Sequence, residues 1–178
     1  MQQDETFRAF IDRRFSGGLL AGTHRDNGKA CVLEAWNAYQ GLAWSDSPVL
    51  TRIFDIRPLN DVAVSPAVRT EWMTQLLEAY AGSLDWPEAR QRRVVTAIVL
   101  ATIREIIAEL PGLPDTIRQQ CRSVTTLAEA VEAAAEADRA ARAAAEAARA
   151  AGAAAEAAEE EIFVRACRLW LAAVSSKQ

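Results

Sequence analysis

Residues 128–158 read AEAVEAAAEADRAARAAAEAARAAGAAAEAA, and 20 of these 31 residues are alanine. Alanine has the highest intrinsic helix propensity because its side chain loses no rotational freedom in a helix. The stretch is therefore predicted to form one long helix, about 45 Å in length if it is unbroken. Gly152 is the one interruption; we expect the helix to tolerate it at a cost of about 1 kcal/mol, and a bend there is the alternative.

The charged side chains of this helix recur every three, four or seven residues and so form a single polar stripe. Its members are Glu129, Glu132, Glu136, Arg139, Arg142, Glu146, Arg149, Glu156 and Glu160. The predicted helix-packing face is nearly all alanine and comprises Ala133, Ala137, Ala140, Ala144, Ala147 and Ala151. Such a face admits another helix at the short end of the usual spacing of about 8–10 Å. The partner is either another helix of the chain or a second subunit, and a solvated arm is the remaining alternative.

Helical periodicity also dominates the rest of the 178 residues, and no alternating strand pattern appears. The predicted helices span about 4–15, 32–41, 48–57, 66–82, 87–110 and 114–121, and a capping box at Thr126–Glu129 begins the alanine-rich helix. The fifth, apolar on much of its circumference, is expected to be central. The sequence thus predicts an all-α fold: a compact bundle of six or seven helices with a long alanine-rich C-terminal helix.

The domain organisation follows from the same change in composition. Residues 1–122 are predicted to form a helical core, and residues 123–178 the alanine-rich helix and a C-terminal amphipathic segment, in one cooperative domain with the core. Large apolar residues return after the alanine tract, at Ile162, Phe163, Cys167, Trp170, Leu171 and Val174. This end is expected to dock on the body or on a neighbouring subunit.

Charge and cysteine content favour a cytoplasmic protein. The formal net charge is -4, which supplies no general attraction for nucleic acid or anionic lipid. Arg90, Arg92 and Arg93 form the one notable basic cluster, and we interpret it as solvated surface, with contact to an acidic partner or to nucleic acid as the alternative. The three cysteines lack a C-x-x-C pair, which indicates reduced thiols. The longest strongly apolar run, residues 94–103, is too short to span a membrane.

A candidate polar pocket lies in the first third of the chain. It comprises His24, Cys31, Glu34, Asp46, Asn60 and Asp61. Such a cluster can bind zinc or activate a thiol, but its spacing matches no known metal-ligand signature, so we predict no metal, cofactor or catalytic residue. The alternative interpretation is structural, with polar groups that bond loop backbone and a cysteine in the core. The loop at residues 22–29 lacks the spacing and the hydroxyl of a phosphate-binding loop.

Several segments, taken in order, resemble an uncharacterised helical family of bacterial and phage genomes. They are Gly22-Thr-His24, Cys31-Val-Leu-Glu34-Ala35, Trp44-Ser-Asp46-Ser-Pro48-Val-Leu50 and Leu59-Asn60-Asp61. Relatives often continue into alanine-rich helices. Many carry histidine where this chain has Ser47, which weakens a metal-site interpretation. The resemblance implies kinship and no particular activity.

The absence of a catalytic signature favours a noncatalytic protein over an enzyme. We therefore predict a helical scaffold or protein-interaction protein, phage-associated on the resemblance, that packs through its alanine-rich helix face and self-associates or binds a protein partner. An enzyme or a ligand- or metal-binding protein with a pocket around His24, Cys31, Glu34 and Asp46 is the alternative.

Overall fold

A computed structural model of the chain describes residues 5–16, 18–22, 27–46, 55–62, 64–110, 112–151 and 156–175. The side chains of residues 84, 145–151 and 156–158 lie outside this description. Within the described ranges there are eight α-helices and no strand, which confirms the all-α prediction. None of the helices in these ranges has both the length and the apolar content needed to cross a membrane.

The helices, in chain order, are α1 (Phe7–Arg14), α2 (Val32–Tyr39), α3 (Arg57–Asn60), α4 (Pro66–Ala81), α5 (Glu88–Glu105), α6 (Asp115–Ser123), α7 (Leu127–Ala151) and α8 (Glu156–Ser175). Short 3-10 helices follow α4, at Gly82–Asp85, and α5, at Ile107–Glu109. The alanine-rich stretch therefore supplies most of α7 and the first turn of α8, and Gly152 lies outside the described residues.

Two helices begin as their sequences indicate. At α4, the Ser65 hydroxyl accepts the Val68 N–H at 3.4 Å, and Pro66 takes the first helical position, where a missing N–H costs nothing. At α7, the Thr126 hydroxyl accepts the Glu129 N–H at 3.3 Å, and the Glu129 carboxylate accepts the Thr126 N–H at 3.1 Å. The predicted capping box is thus confirmed.

The boundaries differ from the predictions at two places. A helical turn, α3, forms where Arg57-Pro58 was expected to end a helix, because proline in a first turn has no N–H to leave unpaired. The fifth helix ends at Glu105 and continues as a 3-10 turn, not as a helix to Leu110. The predicted helix over 48–57 falls largely on residues 47–54, outside the described part of the chain.

The hydrophobic interior consists of two clusters that share α5. The first joins α1, α2, α4, α5 and α8 through large side chains, including Phe7, Phe15, Met73, Leu77, Tyr80 and Phe163. The second joins α5, α6 and α7 and consists of Ile103, Ala108, Leu113, Cys121, Val124, Ala130, Ala133 and Ala137. Helix α5 lies between the clusters, although only Val94, Ile98 and Ile103 are fully buried on it.

The C-terminal helix docks on the body. Phe163, Cys167 and Val174 of α8 are buried in the first cluster. The Trp170 indole donates to the Thr102 hydroxyl on α5 at 2.9 Å, which gives its N–H a partner away from water. Helix α8 is therefore held by large apolar side chains and by a directional hydrogen bond.

Candidate functional site

The N-terminus of α2 is the centre of a buried polar network. The Glu34 carboxylate accepts the Cys31 N–H at 2.9 Å, and the Asn60 side-chain oxygen accepts the Val32 N–H at 3.3 Å. Glu34 and Asn60 are both buried. Because the first amides of a helix have no intrahelical acceptor, these two side chains satisfy donors that would otherwise be unpaired.

Asp61 extends this network to the loop that precedes α2. Its Oδ1 atom accepts the Asn60 side-chain N–H at 2.8 Å and the Gly22 N–H at 3.0 Å. Three segments that are distant in sequence, the loop at Gly22, the start of α2 and the end of α3, are joined in this way. The arrangement fixes backbone positions through carboxylate and amide oxygens.

Arg69, which is not one of the predicted pocket residues, completes the network. It is only 2% exposed, and its guanidinium donates to the Asn60 carbonyl, to the Val62 carbonyl at 2.7 Å and to the Val64 carbonyl at 3.3 Å. The signal was its register: Arg69 shares one helical face with the buried residues Met73, Leu76, Leu77 and Tyr80. A charged residue on such a face indicates a buried polar role.

Burial sets the protonation of this network. It raises the pKa of the Cys31 thiol to about 12, so the thiol stays protonated at neutral pH and is a poor nucleophile or metal ligand. Burial also lowers the pKa of Arg69, and the nearby Asp61 carboxylate opposes that shift. The chemistry available here is hydrogen bonding to backbone.

The predicted pocket residues are thus only partly brought together. Cys31, Glu34, Asn60 and Asp61 join one network, whereas His24 lies outside the described residues. Asp46 interacts electrostatically with Arg57, whose guanidinium binds the Asp55 carboxylate through two hydrogen bonds of 2.8 Å. Among the described residues, no group of three or more His, Cys, Asp or Glu side chains could hold a metal ion.

The alanine face of α7 packs within the chain over its first half. Ala133 and Ala137 are buried against α5 and α6, together with Ala130, which the predicted face omitted. Ala140 and Ala144 are partly buried, and the side chains of Ala147 and Ala151 lie outside the described residues. The inner face therefore follows the interval of three and four residues that an α-helix imposes.

Close approach to α7 is visible at the turn before α6. Gly112 has a φ of +79°, and a Cβ atom at this position would lie 2.8 Å from the Ala144 Cβ. Only glycine facing alanine permits this separation. Cys121, also buried, lies with its sulfur 3.9 Å from the Ala133 carbonyl oxygen, so a small side chain of α6 packs closely on the backbone of α7.

The two largest aliphatic side chains of the same helix are on the outside. Val131 is 67% exposed and Leu127 is 44% exposed. They lie one turn apart, away from the buried alanines. Exposure of the largest apolar side chains beside burial of the smallest is the reverse of the usual amphipathic pattern.

An apolar groove of about 380 Å³ lies between α5 and α8. Val95, Ile98, Val99 and Ile103 line it with Trp170. Among the described residues, its one lining carboxylate is that of Asp55, which is held by Arg57, and the hydrogen bonds of Arg57 keep the pKa of Asp55 below its usual range. The described lining of the groove therefore lacks the converging polar groups of a catalytic site. No motif in the sequence indicated it.

The arginine cluster of α5 is largely engaged by its own helix and the preceding turn. The Arg90 guanidinium lies 3.9 Å from the centre of the Trp86 ring, and Arg92 forms an ion pair with Glu88 at 3.1 Å. Arg93 is exposed. These contacts give two of the three arginines a local structural role.

The chain matches no family model, no curated protein sequence and no solved structure.

Proposed function

We propose that the protein is a noncatalytic helical scaffold that packs α7 on its own body through the alanine face. The opposite side of α7, which carries Leu127 and Val131 and is called its outer face below, binds a protein partner. One observation carries this proposal: α7 buries Ala130, Ala133 and Ala137 and exposes Leu127 and Val131. The two exposed side chains lie one turn apart on the same side of α7, so a protein partner can cover both of them together.

The polar network supports the same proposal. Glu34, Asn60 and Asp61 each accept a backbone N–H of the chain itself. These hydrogen bonds hold the start of α2 and the loop at Gly22 in place, which is a structural role for the three side chains. The network serves the fold.

The cellular setting is part of the proposal. The order of short motifs between Gly22 and Asp61 resembles proteins of bacterial and phage genomes, and the chain's acidic balance and unpaired cysteines suit the cytoplasm. We propose a cytoplasmic, phage-associated role for the scaffold on these grounds.

The first experiment tests whether the exposed side chains of Leu127 and Val131 stabilise the folded state. We expect the double substitution Leu127→Ser and Val131→Ser to change the free energy of unfolding by less than about 0.5 kcal/mol, because exposed side chains contribute little to stability. The matched control is Ile103→Ser in the buried part of the same region, which should cost several times more. Equal losses would show that the pair stabilises the fold, and would contradict the proposed partner surface.

The second experiment addresses the alternative function, a ligand or metal site around Cys31 and Glu34. The melting temperature is measured with Zn²⁺, Mn²⁺ or Mg²⁺ for the unmodified protein and for Glu34→Gln. The scaffold proposal predicts no metal-dependent rise in either protein, and a lower melting temperature for the variant in every buffer. A rise of several degrees with one metal, lost in Glu34→Gln, would overturn the scaffold proposal.

A further inference from the structure

The outer face of α7 has the shape of a helix contact. Beside Val131, the side chains of Ala135 and Ala143 are exposed and small, so a second helix can approach closely along this side. Glu132, Arg139 and Arg142 are exposed on the same outer face. The face therefore has a narrow apolar line with charged flanks, as in the seams of paired helices.

Between residues 132 and 142 the charges of this face are separated along the helix. Glu132, Glu136 and Asp138 come first, and Arg139 and Arg142 follow them. Glu129 precedes all five, but its carboxylate is used at the helix start, where it accepts the Thr125 and Thr126 N–H groups. This segment of the outer face thus begins acidic and becomes basic, and the stripe then continues with Glu146 and Arg149.

A segment that is acidic at one end and basic at the other, as residues 132–142 are, is complementary to its own reversed copy. We propose that a second copy of this chain docks on the outer face of α7, antiparallel and across a two-fold axis; this inference rests on the proposed function. In a parallel arrangement, the acidic ends would face each other and so would the basic ends. The antiparallel arrangement is also an isologous contact, the usual form of a homodimer.

The sequence positions fix the register of the pair. An axis between Ala135 and Glu136 brings Glu132 of one helix alongside Arg139 of the second copy, and symmetry repeats this ion pair. Val131 then faces the aliphatic stem of Arg142 of the second copy, which covers part of its exposed surface. In the single chain, Arg142 pairs with Asp138 at 3.0 Å, so its head is already held along this face.

The test is sedimentation equilibrium of the full chain from about 5 to 500 μM at low salt, where we expect a monomer–dimer equilibrium that weakens as salt is added. Glu132→Arg alone and Arg139→Glu alone should each weaken the dimer about tenfold or more, because each replaces two attractive pairs by two repulsive ones. An equimolar mixture of the two variants should dimerise again, since the reversed charges are complementary.

Two matched controls carry the same changes in net charge elsewhere. Glu78→Arg on α4 and Arg93→Glu on α5 alter exposed side chains and should leave the dimer unchanged. A monomer at every concentration, or a mixture that stays monomeric, would overturn the second-copy proposal. Neither result resembles failure of the proposed function, which would appear as a loss of fold stability in the serine variant or as a metal-dependent rise in melting temperature.

Discussion

Helices α7 and α8 are both long, with 25 and 20 residues, yet they are held to the same body in different ways. Helix α8 buries Phe163, Cys167 and Val174 in the first cluster. Among its described side chains, helix α7 buries only alanine in the second cluster. The comparison separates two sources of helix stability, namely apolar area removed from water and the intrinsic preference of alanine for the helix.

The free-energy contributions of the buried side chains in the two helices differ accordingly. A buried phenylalanine contributes about 1.5–3 kcal/mol through its apolar area, whereas an alanine side chain contributes only about the 0.8 kcal/mol of a single carbon group. Each alanine instead spares α7 the propensity cost, up to about 0.7 kcal/mol, that other ordinary residues carry. Helix α8 should therefore depend on its packing, and α7 on its composition and on the closeness of its neighbours.

The largest expected effect is on α8. Phe163→Ala should lower the free energy of unfolding by about 3–5 kcal/mol, because it removes a fully buried ring and leaves a cavity among large side chains. The measurement is denaturant unfolding followed by circular dichroism. The control on the other helix is Ala133→Gly, where no ring is lost and the cost should be about 2 kcal/mol, namely about 1 kcal/mol of helix propensity and about 0.8 kcal/mol of lost methyl burial. Similar losses for the two variants would remove the distinction between the helices.

The next effect tests the close approach to α7. Gly112→Ala should destabilise the protein by about 2–3 kcal/mol, since it adds a strained positive φ and a methyl group that meets the Ala144 Cβ at 2.8 Å. Gly41→Ala is the matched control, because Gly41 has a φ of +69° and no atom within 4 Å of an added Cβ. It should show the backbone cost alone, about 1 kcal/mol. If the two variants lose equal free energy of unfolding, the contact between position 112 and Ala144 contributes nothing to the loss.

The free energy of unfolding should depend on pH through the buried Cys167 thiol of α8. Burial raises the pKa of Cys167 to about 12 from its usual value near 9, so the folded state keeps a proton that the unfolded chain releases. This contribution to stability is complete below pH 9 and is lost as the pH rises toward 12, by about 1.4 kcal/mol per pH unit. Cys167→Ala removes it, so the stability gap between the two proteins should narrow from pH 9 to pH 11. If the free energies of unfolding of the two proteins run parallel from pH 9 to pH 11, the raised pKa of Cys167 is contradicted.

The smallest effect is on the outside of α7. Val131→Ala should raise the free energy of unfolding by a few tenths of a kcal/mol, because alanine is the better helix former and the exposed valine side chain buries little apolar area. The same variant should weaken self-association in sedimentation experiments, since it removes apolar contact area. A clear loss of stability would place Val131 in the fold and not at an interface.

Most of the fold could be predicted from the sequence because its signals are local. The Ser65-Pro66 start, the Thr126–Glu129 capping box and the alanine composition of α7 each act within a few residues. The one-turn helix α3 was not predicted, because its formation at Arg57-Pro58 depends on tertiary contacts of Leu59 and Asn60, both buried.

The candidate site was predictable in part for the same reason. Cys31 and Glu34 are three residues apart, so helical geometry alone places them together. The hydrogen bond from Val32 to Asn60 links residues 28 positions apart, and nothing local to either residue specifies it. Arg69 had a local signal, its position on an apolar face, but the three carbonyls that it binds are known only from the fold.

The most direct measurement compares Ala137→Leu with Ala135→Leu, two substitutions on the same helix with equal propensity and volume changes. Ala137 is buried against α5 and α6, whereas Ala135 is exposed. Overpacking should make Ala137→Leu less stable by about 1–3 kcal/mol, and Ala135→Leu should stay within about 0.5 kcal/mol of the unmodified protein. Equal free energies of unfolding for the two variants would contradict the claim that the alanine face of α7 lies inside and its opposite face outside.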